Sequence, residues 1–342
     1  MSAHVLRTIT AAATDVGRKR TGNEDCYDIW VSDDLGREHV ADTLLVVCDG
    51  MGGSNAGEVA SRMAVEAIVR TFAAEEGGDL GAALARAVEV ANLEVHEHSR
   101  TRPDLQGMGT TCTVAALKGE RLGLAQVGDS RAYLVRDGRL RQLTDDHSLV
   151  AQLVARKQLT PEEARSDPRR NVVTRSVGVA PTVEVDVRLL DEPLRPGDTV
   201  LVCSDGLHGQ VTDEELVRAA SGASLDRACR ELIAIANDRG GPDNITLALA
   251  RIEGPEDEPV PTRRIRAGGP AAVRAGTPAS ARSAPRAGGT RRRSLQLLIV
   301  ACIALLLLLV VIIFVVVGMT RHAAGQDSRN AAGRVEERLA WR

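Results

Sequence analysis

"VVCDGMGGSNAGEVAS", residues 46–61, joins an apolar run to a glycine-rich corner at Asp49, and a helical pattern follows. The apolar run predicts a buried strand, and Asn55 with Glu58 predicts the start of a helix. Asp49 at the corner allows three interpretations: a turn residue, part of a phosphate cradle, or a metal ligand. No lysine follows in the G-x-x-x-x-G-K-[ST] spacing, so the sequence disfavours a nucleotide cradle.

Asp49 belongs to a set of acidic sites that share one setting, because each lies where a predicted strand enters or leaves a corner. The members are Glu24-Asp25, Asp49, Asp129, Asp205 and Asp243. One Asp-Gly alone is usually a turn, but the recurrence predicts that these carboxylates meet at one edge of the sheets. Converging carboxylates stay ionised only if cations compensate their charge. Oxygen ligands suit Mg²⁺ or Mn²⁺ rather than zinc.

Arg20, in "RKRTGNEDC", shortly precedes Glu24 and Asp25. A guanidinium beside a carboxylate cluster can hold a phosphate through paired hydrogen bonds. Taken alone, Arg20 is an ordinary surface arginine, and only its neighbours indicate phosphate binding. The histidines offer no rival metal site, because His96 and His98 are two residues apart on a predicted helix and face different directions.

Composition excludes several classes of protein. The chain has 342 residues, 44% of them hydrophobic, which is enough for a sizeable core. A net charge of -3 and only two each of Trp, Tyr and Phe argue against a nucleic-acid-binding protein. The six cysteines form no C-x-x-C pair, and we expect them to be small buried hydrophobes in a reducing compartment.

Residues 1–253 carry the strand and helix patterns of a folded domain. The strand-like runs are "RTITAAAT", "CYDIWV", "LLVVCD", "TTCTVAAL", "RLGLAQVGD", "RAYLVR", "TVLVCSD" and "NITLALARI". Helical spacing covers 57–73, 79–100, 212–220 and 224–237, and Thr160 with Glu163 and Thr212 with Glu215 resemble capping boxes. Asp137-Gly138 predicts a two-residue hairpin, so part of the sheet is antiparallel. Consecutive strands with segregated helix pairs predict an α+β layered fold.

The rest of the chain has a different composition. Residues 254–293, rich in Pro, Arg, Ala and Gly, predict a disordered linker. Within 294–318, the 21 apolar residues 297–317 span about 32 Å and predict one transmembrane helix. Residues 319–342 are then expected to be a short extracytoplasmic tail. Arginines 291–293 and the lack of a signal peptide predict a single-pass protein of the cell membrane, with residues 1–253 in the cytoplasm.

Six motifs carry a resemblance to a known family. "RTGNED", "VVCDGMGG", "MGTT", "VGDSRAYL", "VLVCSDGL" and "GGPDNIT" occur in the order found in metal-dependent Ser/Thr protein phosphatases of type 2C, the PPM family. The similarity covers roughly residues 8–252. It implies a four-layer αββα sandwich, in which two antiparallel sheets are flanked by helix pairs.

The resemblance also implies a metal centre. Asp49 matches the carboxylate that bridges two Mn²⁺ or Mg²⁺ ions, and the Gly50 carbonyl matches a further ligand. Asp205 and Asp243 resemble the ligands of one ion, and Glu24 resembles the acid that reaches the other through water.

Three further roles follow from the resemblance. Asp25 matches an acid that orients the attacking water, and Arg20 matches the arginine that grips the phosphate. Asp129 and Asp205 match the positions that hold a third, weaker metal in bacterial members. The implied reaction is attack of a water, activated by two metals, on phosphorus.

The sequence departs from the family pattern in two places. Met51 occupies the position at which many eukaryotic members have a histidine, and a thioether cannot protonate a leaving group. His147 or His208 could protonate the leaving group instead, but only if their side chains do not have a structural role. Gly209 replaces an acid found in some relatives. Residues 149–178 resemble the flap of bacterial members, whose arginines either contact substrate or are solvated.

These features predict a bacterial, membrane-tethered enzyme, a monomer, that hydrolyses phosphoserine and phosphothreonine in proteins and opposes a Ser/Thr kinase. Its expected partners are phosphorylated proteins, including the kinase, and membrane lipid, with no nucleic acid. One alternative is a non-catalytic relative that serves as a membrane-anchored binding or sensing module. Another is a dedicated phosphatase for one regulatory partner.

Overall fold

Two antiparallel sheets and their flanking helices make up the part of the chain that the structure, a computed structural model, describes: residues 6–32, 39–52 and 55–254. The strands are β1 (Arg7–Asp15), β2 (Asp25–Val31), β3 (Thr43–Met51), β4 (Gly109–Thr110), β5 (Cys112–Lys118), β6 (Arg121–Val127), β7 (Arg131–Arg136), β8 (Arg139–Gln142), β9 (Asp186–Leu189), β10 (Thr199–Cys203) and β11 (Ile245–Glu253). The helices are α1 (Ala56–Ala73), α2 (Leu80–Thr101), α3 (Leu149–Ala155), α4 (Pro161–Ser166), α5 (Asp205–His208), α6 (Asp213–Ala220) and α7 (Leu225–Asp238).

The strand order separates the two sheets. The first sheet runs β1-β11-β10-β7-β8, and the second runs β2-β3-β5-β6-β9, with β4 paired to the end of β3. Every pairing between these strands is antiparallel. The prediction of an antiparallel α+β fold is therefore confirmed.

Strand β3 shows why the sheets stack as layers. Leu44 and Val46 pack in a core with α1 and α2, whereas Leu45 and Val47 face the core between the two sheets. Both faces of β3 are therefore buried, which explains its continuous apolar run. A third core joins the first sheet to α5, α6 and α7. Helices thus cover both outer faces, as the four-layer prediction requires.

Several local predictions hold. The four predicted helices match α1, α2, α6 and α7 to within one or two residues. Both capping boxes form, with Thr160 capping α4 and Thr212 capping α6. At the hairpin between β7 and β8, Asp137 and Gly138 have φ values of 50° and 70°, the left-handed region that this turn requires.

Other local predictions held only in part. Asn55 occupies the position before α1, but its side chain makes no capping hydrogen bond in the described residues. The predicted strand "TTCTVAAL" is divided into β4 and β5 at Thr111, although the register with β3 continues, because the Asp49 N–H donates to the Thr111 side chain instead of its carbonyl. Strand β9 was missed, since Asp186–Leu189 is short and exposed at every position, so no alternation marks it.

Among the residues that the structure describes, no helix is long and apolar enough to cross a membrane. The predicted transmembrane helix at 294–318 lies outside the described residues. So do the tail at 319–342 and the predicted linker beyond Gly254.

Candidate functional site

The predicted acidic residues meet at one end of the sandwich. In the second sheet, Asp25 at the start of β2 lies directly opposite Asp49 near the end of β3. In the first sheet, Asp205 follows the end of β10, and Asp243 precedes the start of β11. Because β10 and β11 are antiparallel neighbours, the end of one adjoins the start of the other. Topology therefore brings the acids of both sheets to the same edge.

The electrostatics of Asp49 show how closely these groups converge. Burial raises the pKa of Asp49 well above its ordinary value, and the negative charges of Asp25, Asp205, Asp129 and Asp243 raise it further. Five carboxylates thus influence one another across the two sheets. Such repulsion favours either protonation of some of these carboxylates or the binding of cations between them.

Asp25 is 8% exposed and is more buried than Asp49, its partner on β3. Burial raises its pKa to about 7, while the side chains of Thr246 and Ser204 oppose that rise. The hydroxyl of Ser204 donates to Asp25 Oδ2 at 2.7 Å. Asp25 Oδ1 is buried and has no hydrogen-bond partner among the described residues.

Asp205 and Asp129 complete the cluster on the opposite side. Burial raises the pKa of Asp205 to about 6, and the neighbouring Asp243 adds to the rise. Asp205 Oδ1 is a second buried oxygen without a hydrogen-bond partner in the described residues. Burial, followed by the charge of Asp205, raises the pKa of Asp129 to about 7.

Arg20 lies at the open rim of the cluster, with 46% of its side chain exposed. Its guanidinium donates to Asp243 Oδ2 at 2.7 Å and lies 3.9 Å from Glu24 Oε2. Partial burial lowers the pKa of the Arg20 guanidinium. The charge and the hydrogen bond of Asp243 have a larger combined effect in the opposite direction, so the pKa is raised. A cation that faces both the carboxylates and solvent suits the binding of an anionic group.

The glycine-rich corner brings β3, α1 and Glu24 into close contact. A Cβ atom on Gly50 would lie 2.1 Å from the carbonyl oxygen of Gly57 and 2.6 Å from that of Glu24. A Cβ atom on Gly57 would lie 2.9 Å from Glu24 Oε2. The Gly50 N–H donates to the Glu24 carbonyl at 3.1 Å. Glycine is therefore required at both positions, and the role of Gly57 was missed because its contacts are not local in sequence.

Two polar residues that sequence reasoning also missed hold the acidic loops. Thr111 Oγ1 accepts the Asp49 N–H at 2.9 Å, and the Thr111 N–H donates to the Asp49 carbonyl at 2.8 Å. The Asn244 side chain accepts the Glu24 N–H at 2.8 Å and donates to the Gly22 carbonyl at 2.9 Å. The only sequence signal was their position inside the motifs "MGTT" and "GGPDNIT".

The two histidines considered as proton donors have structural partners. The Gly128 N–H donates to His147 Nδ1 at 3.0 Å, and His147 Nε2 lies 3.1 Å from Asp186 Oδ2. His208 Nε2 lies 3.1 Å from the Asp129 carbonyl oxygen. Burial lowers the pKa of His208 to about 3, so its ring is neutral near pH 7 and Nε2–H donates that bond. Both nitrogens of His147 and Nε2 of His208 are therefore engaged in contacts within the domain.

The predicted flap contains α3, α4 and the loop that leads to Gly178. It is attached to the domain at Ser148–Val173 and Thr110–Val177, which form isolated β-bridges. The positive charge of Arg170 reaches the cluster, where it lowers the pKa of Asp205. The flap therefore adjoins the acidic end of the sandwich.

The donor set fits hard divalent cations. It offers carboxylates, repelled by one another, and two buried oxygens without partners, the arrangement that Mg²⁺ or Mn²⁺ satisfies. In 6–32, 39–52 and 55–254, no three His, Cys, Asp or Glu side chains form a complete ligand set on their own. Donor chemistry and unpartnered oxygens, rather than preformed coordination, are thus the evidence for cations.

The structure accordingly brings together all the predicted site residues. Arg20, Glu24, Asp25, Asp49, Gly50, Asp129, Asp205 and Asp243 lie at the same end of the sandwich. Their individual assignments to one ion, to a bridge or to a third ion stay predictions.

Comparison with known proteins was consistent with this geometry. Residues 19–249 match the family model described as Protein phosphatase 2C. The chain is 40% identical over 242 residues to the serine/threonine protein phosphatase PstP of Mycobacterium tuberculosis, covering 71% of this chain and 44% of that protein. It therefore spans less than half the length of that relative. It is 38% identical to the serine/threonine phosphatase stp of Listeria monocytogenes, covering 69% of this chain and 92% of that protein.

A solved structure agrees over the same region. It is the catalytic domain of the serine threonine protein phosphatase PstP in complex with two manganese ions, with a TM-score of 0.62 and 38% identity. The similarity covers 72% of this chain and 99% of that one.

Proposed function

We propose that this chain, which belongs to the protein phosphatase 2C family, hydrolyses phosphoserine and phosphothreonine in proteins with Mn²⁺ or Mg²⁺ as cofactor. One observation carries the proposal: five carboxylates from both sheets converge beside the exposed guanidinium of Arg20. Carboxylates alone would repel a phosphate, so the site needs cations to bind this substrate. The relatives that match most of the chain are named as Ser/Thr phosphatases, which supports the same reaction.

The residues that would hold two cations are Glu24, Asp49, Gly50, Asp205 and Asp243. Support comes from the unpartnered Asp205 oxygen and from the manganese ions named in the PstP complex. When bound, such ions neutralise phosphate charge and lower the pKa of water, which makes a nucleophile available at neutral pH. Asp129 with Asp205 forms an acidic pair suited to a third, weaker ion.

Arg20 binds the phosphate in this proposal. Its Nη2 is held at 2.7 Å by Asp243, which fixes the guanidinium at the rim, while 46% of the side chain faces solvent. A planar fork can then donate two hydrogen bonds to phosphate oxygens. Asp25, which lies opposite Asp49 on the neighbouring strand, orients the attacking water through its unpartnered Oδ1 in this proposal.

Solvent supplies the proton of the leaving group. Met51 has no acidic proton, and the described contacts engage His147 and His208 with Gly128 and Asp129. None of these three side chains is available as a general acid. The reaction therefore depends on water at the open rim.

The setting of the reaction is also a proposal. The apolar residues 297–317 anchor the chain in the cell membrane, with the phosphatase domain in the cytoplasm. There it opposes a Ser/Thr kinase, because both enzymes act on the same hydroxyl groups of proteins. Protease protection in membrane vesicles tests the topology, and a protected phosphatase domain in inside-out vesicles would contradict it.

The activity is tested with the full chain and a phosphothreonine peptide, in Mn²⁺ and in EDTA. We expect phosphate release only with Mn²⁺, and a loss of at least about 100-fold in Asp49→Asn, because removing one charged group from a preorganised site costs several kcal/mol. Asp104→Asn, at an exposed carboxylate paired with Arg102, is the control and should keep full activity.

Activity that survives EDTA, or that is unchanged in Asp49→Asn, would refute the metal-dependent reaction. A chain that binds Mn²⁺ but releases phosphate from no phosphopeptide would instead support the alternative of a binding module.

A further inference from the structure

We propose that Ser204 is a positioning residue for the reaction, because its hydroxyl holds the Asp25 carboxylate from the opposite sheet. This inference rests on the proposed phosphatase function and assigns a role to a residue next to the predicted ligand Asp205. Ser204 is fully buried and donates its hydroxyl to Asp25, so it acts through Asp25.

The hydrogen bond joins residues that are distant in the chain. Ser204 Oγ donates to Asp25 Oδ2 at 2.7 Å, across 179 residues of sequence. Ser204 follows β10 of the first sheet, whereas Asp25 begins β2 of the second. The bond therefore ties the two sheets together at the site.

The direction of this bond is set by a second contact. The backbone N–H of Thr246 donates to Ser204 Oγ at 3.0 Å, and the Ser204 N–H donates to the Thr246 carbonyl at 3.0 Å. Because the oxygen of the Ser204 hydroxyl accepts from Thr246, its proton is directed at Asp25. Thr246 lies in β11, a strand between β1 and β10 whose first six residues are buried, so the sheet fixes this orientation.

The geometry leaves Oδ1 of Asp25 without a partner in the described residues, while Ser204 holds Oδ2. Ser204 is fully buried and Asp25 is 8% exposed, so water has little access to replace the bond. With Oδ2 held, the carboxylate plane is fixed, and Oδ1 has no partner among the described residues. Loss of the Ser204 hydroxyl would leave the Thr246 side chain as the remaining contact of the carboxylate and would misplace the oxygen that orients water.

The test compares Ser204→Ala with a matched control, Ser99→Ala, in the full chain. Ser99 is also a buried serine, and its hydroxyl likewise donates once, to the Leu105 carbonyl, and accepts once, from the Gly107 N–H. It lies on α2, outside the acidic cluster. Each variant removes a buried hydroxyl that donates one hydrogen bond and accepts one, so Ser99→Ala reports the general effect of such a loss away from the cluster.

We expect Ser204→Ala to lower kcat for the phosphothreonine peptide about 10- to 100-fold, with KM within about twofold, because a charge-assisted bond to a group that acts in the transition state is lost. Ser99→Ala should keep kcat within about twofold. If Ser204→Ala fails to fold, Ser204→Cys, which keeps a side chain of similar size and weakens the donor, gives the same comparison.

A kcat for folded Ser204→Ala or Ser204→Cys equal to that of Ser99→Ala would overturn the proposal. An inactive wild-type chain would refute the proposed function itself, so the two failures are distinguishable.

Discussion

Gly50 and Glu24 show how single residues determine the geometry of the site. The peptide of Gly50 packs directly against the carbonyl groups of Glu24 and Gly57, at distances that leave no space for a methyl group. An aspartate-glycine pair that resembles an ordinary turn in sequence is thus a contact point for three segments of chain. Close approach, rather than positive φ, is the reason for glycine at position 50.

The first prediction concerns this contact. Gly50→Ala should lower the free energy of unfolding by about 3 kcal/mol or more, because its Cβ would lie 2.1 Å from a backbone oxygen that cannot move aside. Urea unfolding of the full chain measures the loss. Gly22→Ala is the matched control, since a Cβ at Gly22 meets nothing within 4 Å. Equal stability of the two variants would contradict the packing argument.

Among the helices, the N-terminal capping residues differ in whether their side chains form a capping hydrogen bond. The Thr212 hydroxyl accepts the Glu215 N–H, and the Glu215 carboxylate accepts the Thr212 N–H at 3.0 Å. Asn55 has an equally favourable sequence pattern before α1 but makes no such bond. Helix α1 is instead held by its packing against β3 and α2. Tertiary packing therefore overrides the local capping signal at this position.

The second prediction follows from that difference. Thr212→Ala should destabilise the protein by about 1 kcal/mol through loss of the cap, whereas Asn55→Ala should change stability by less than about 0.5 kcal/mol. Urea unfolding, monitored by circular dichroism, compares the two. If Asn55→Ala costs as much as Thr212→Ala, then the Asn55 side chain does cap α1 in solution.

For the molecule as a whole, protonation of the acidic cluster makes both stability and metal affinity depend on pH. Burial raises the pKa of Asp25 and Asp129 to about 7 and that of Asp205 to about 6, from 3.8. A raised folded pKa means that the folded chain holds protons more tightly than the unfolded chain. Without metal, these groups therefore remove stability as pH rises from about 4 to about 7. His208 acts in the opposite sense, because burial lowers its pKa to about 3.

The third prediction uses this linkage. Below about pH 7, Mn²⁺ must displace protons from the cluster, so its affinity should increase at least about tenfold from pH 6 to pH 8. The contribution of His208 is the same with and without metal and cancels. Isothermal titration calorimetry in buffers of different ionisation enthalpy measures both the affinity and the protons released. An affinity independent of pH, with no proton release, would refute the coupling.

Much of the fold could be predicted because its signals are local. The continuous apolar run of β3, the helical spacing of α2 and the turn at Asp137-Gly138 each depend on neighbouring residues. Strand β9 could not be predicted in this way. Its residues are exposed, and only pairing with β6 makes them a strand.

Residue type and short-range periodicity were enough to identify the acids at strand ends, the arginine beside them and the main strands and helices, though not β9. Which strands are neighbours depends on contacts in the folded protein, and so does the position of Asp25 opposite Asp49, where Ser204 holds it. The tertiary structure also decided that Gly57 supports Glu24 and that two carboxylate oxygens stay without partners in the described residues. These features arise from contacts between distant segments, which no local pattern encodes.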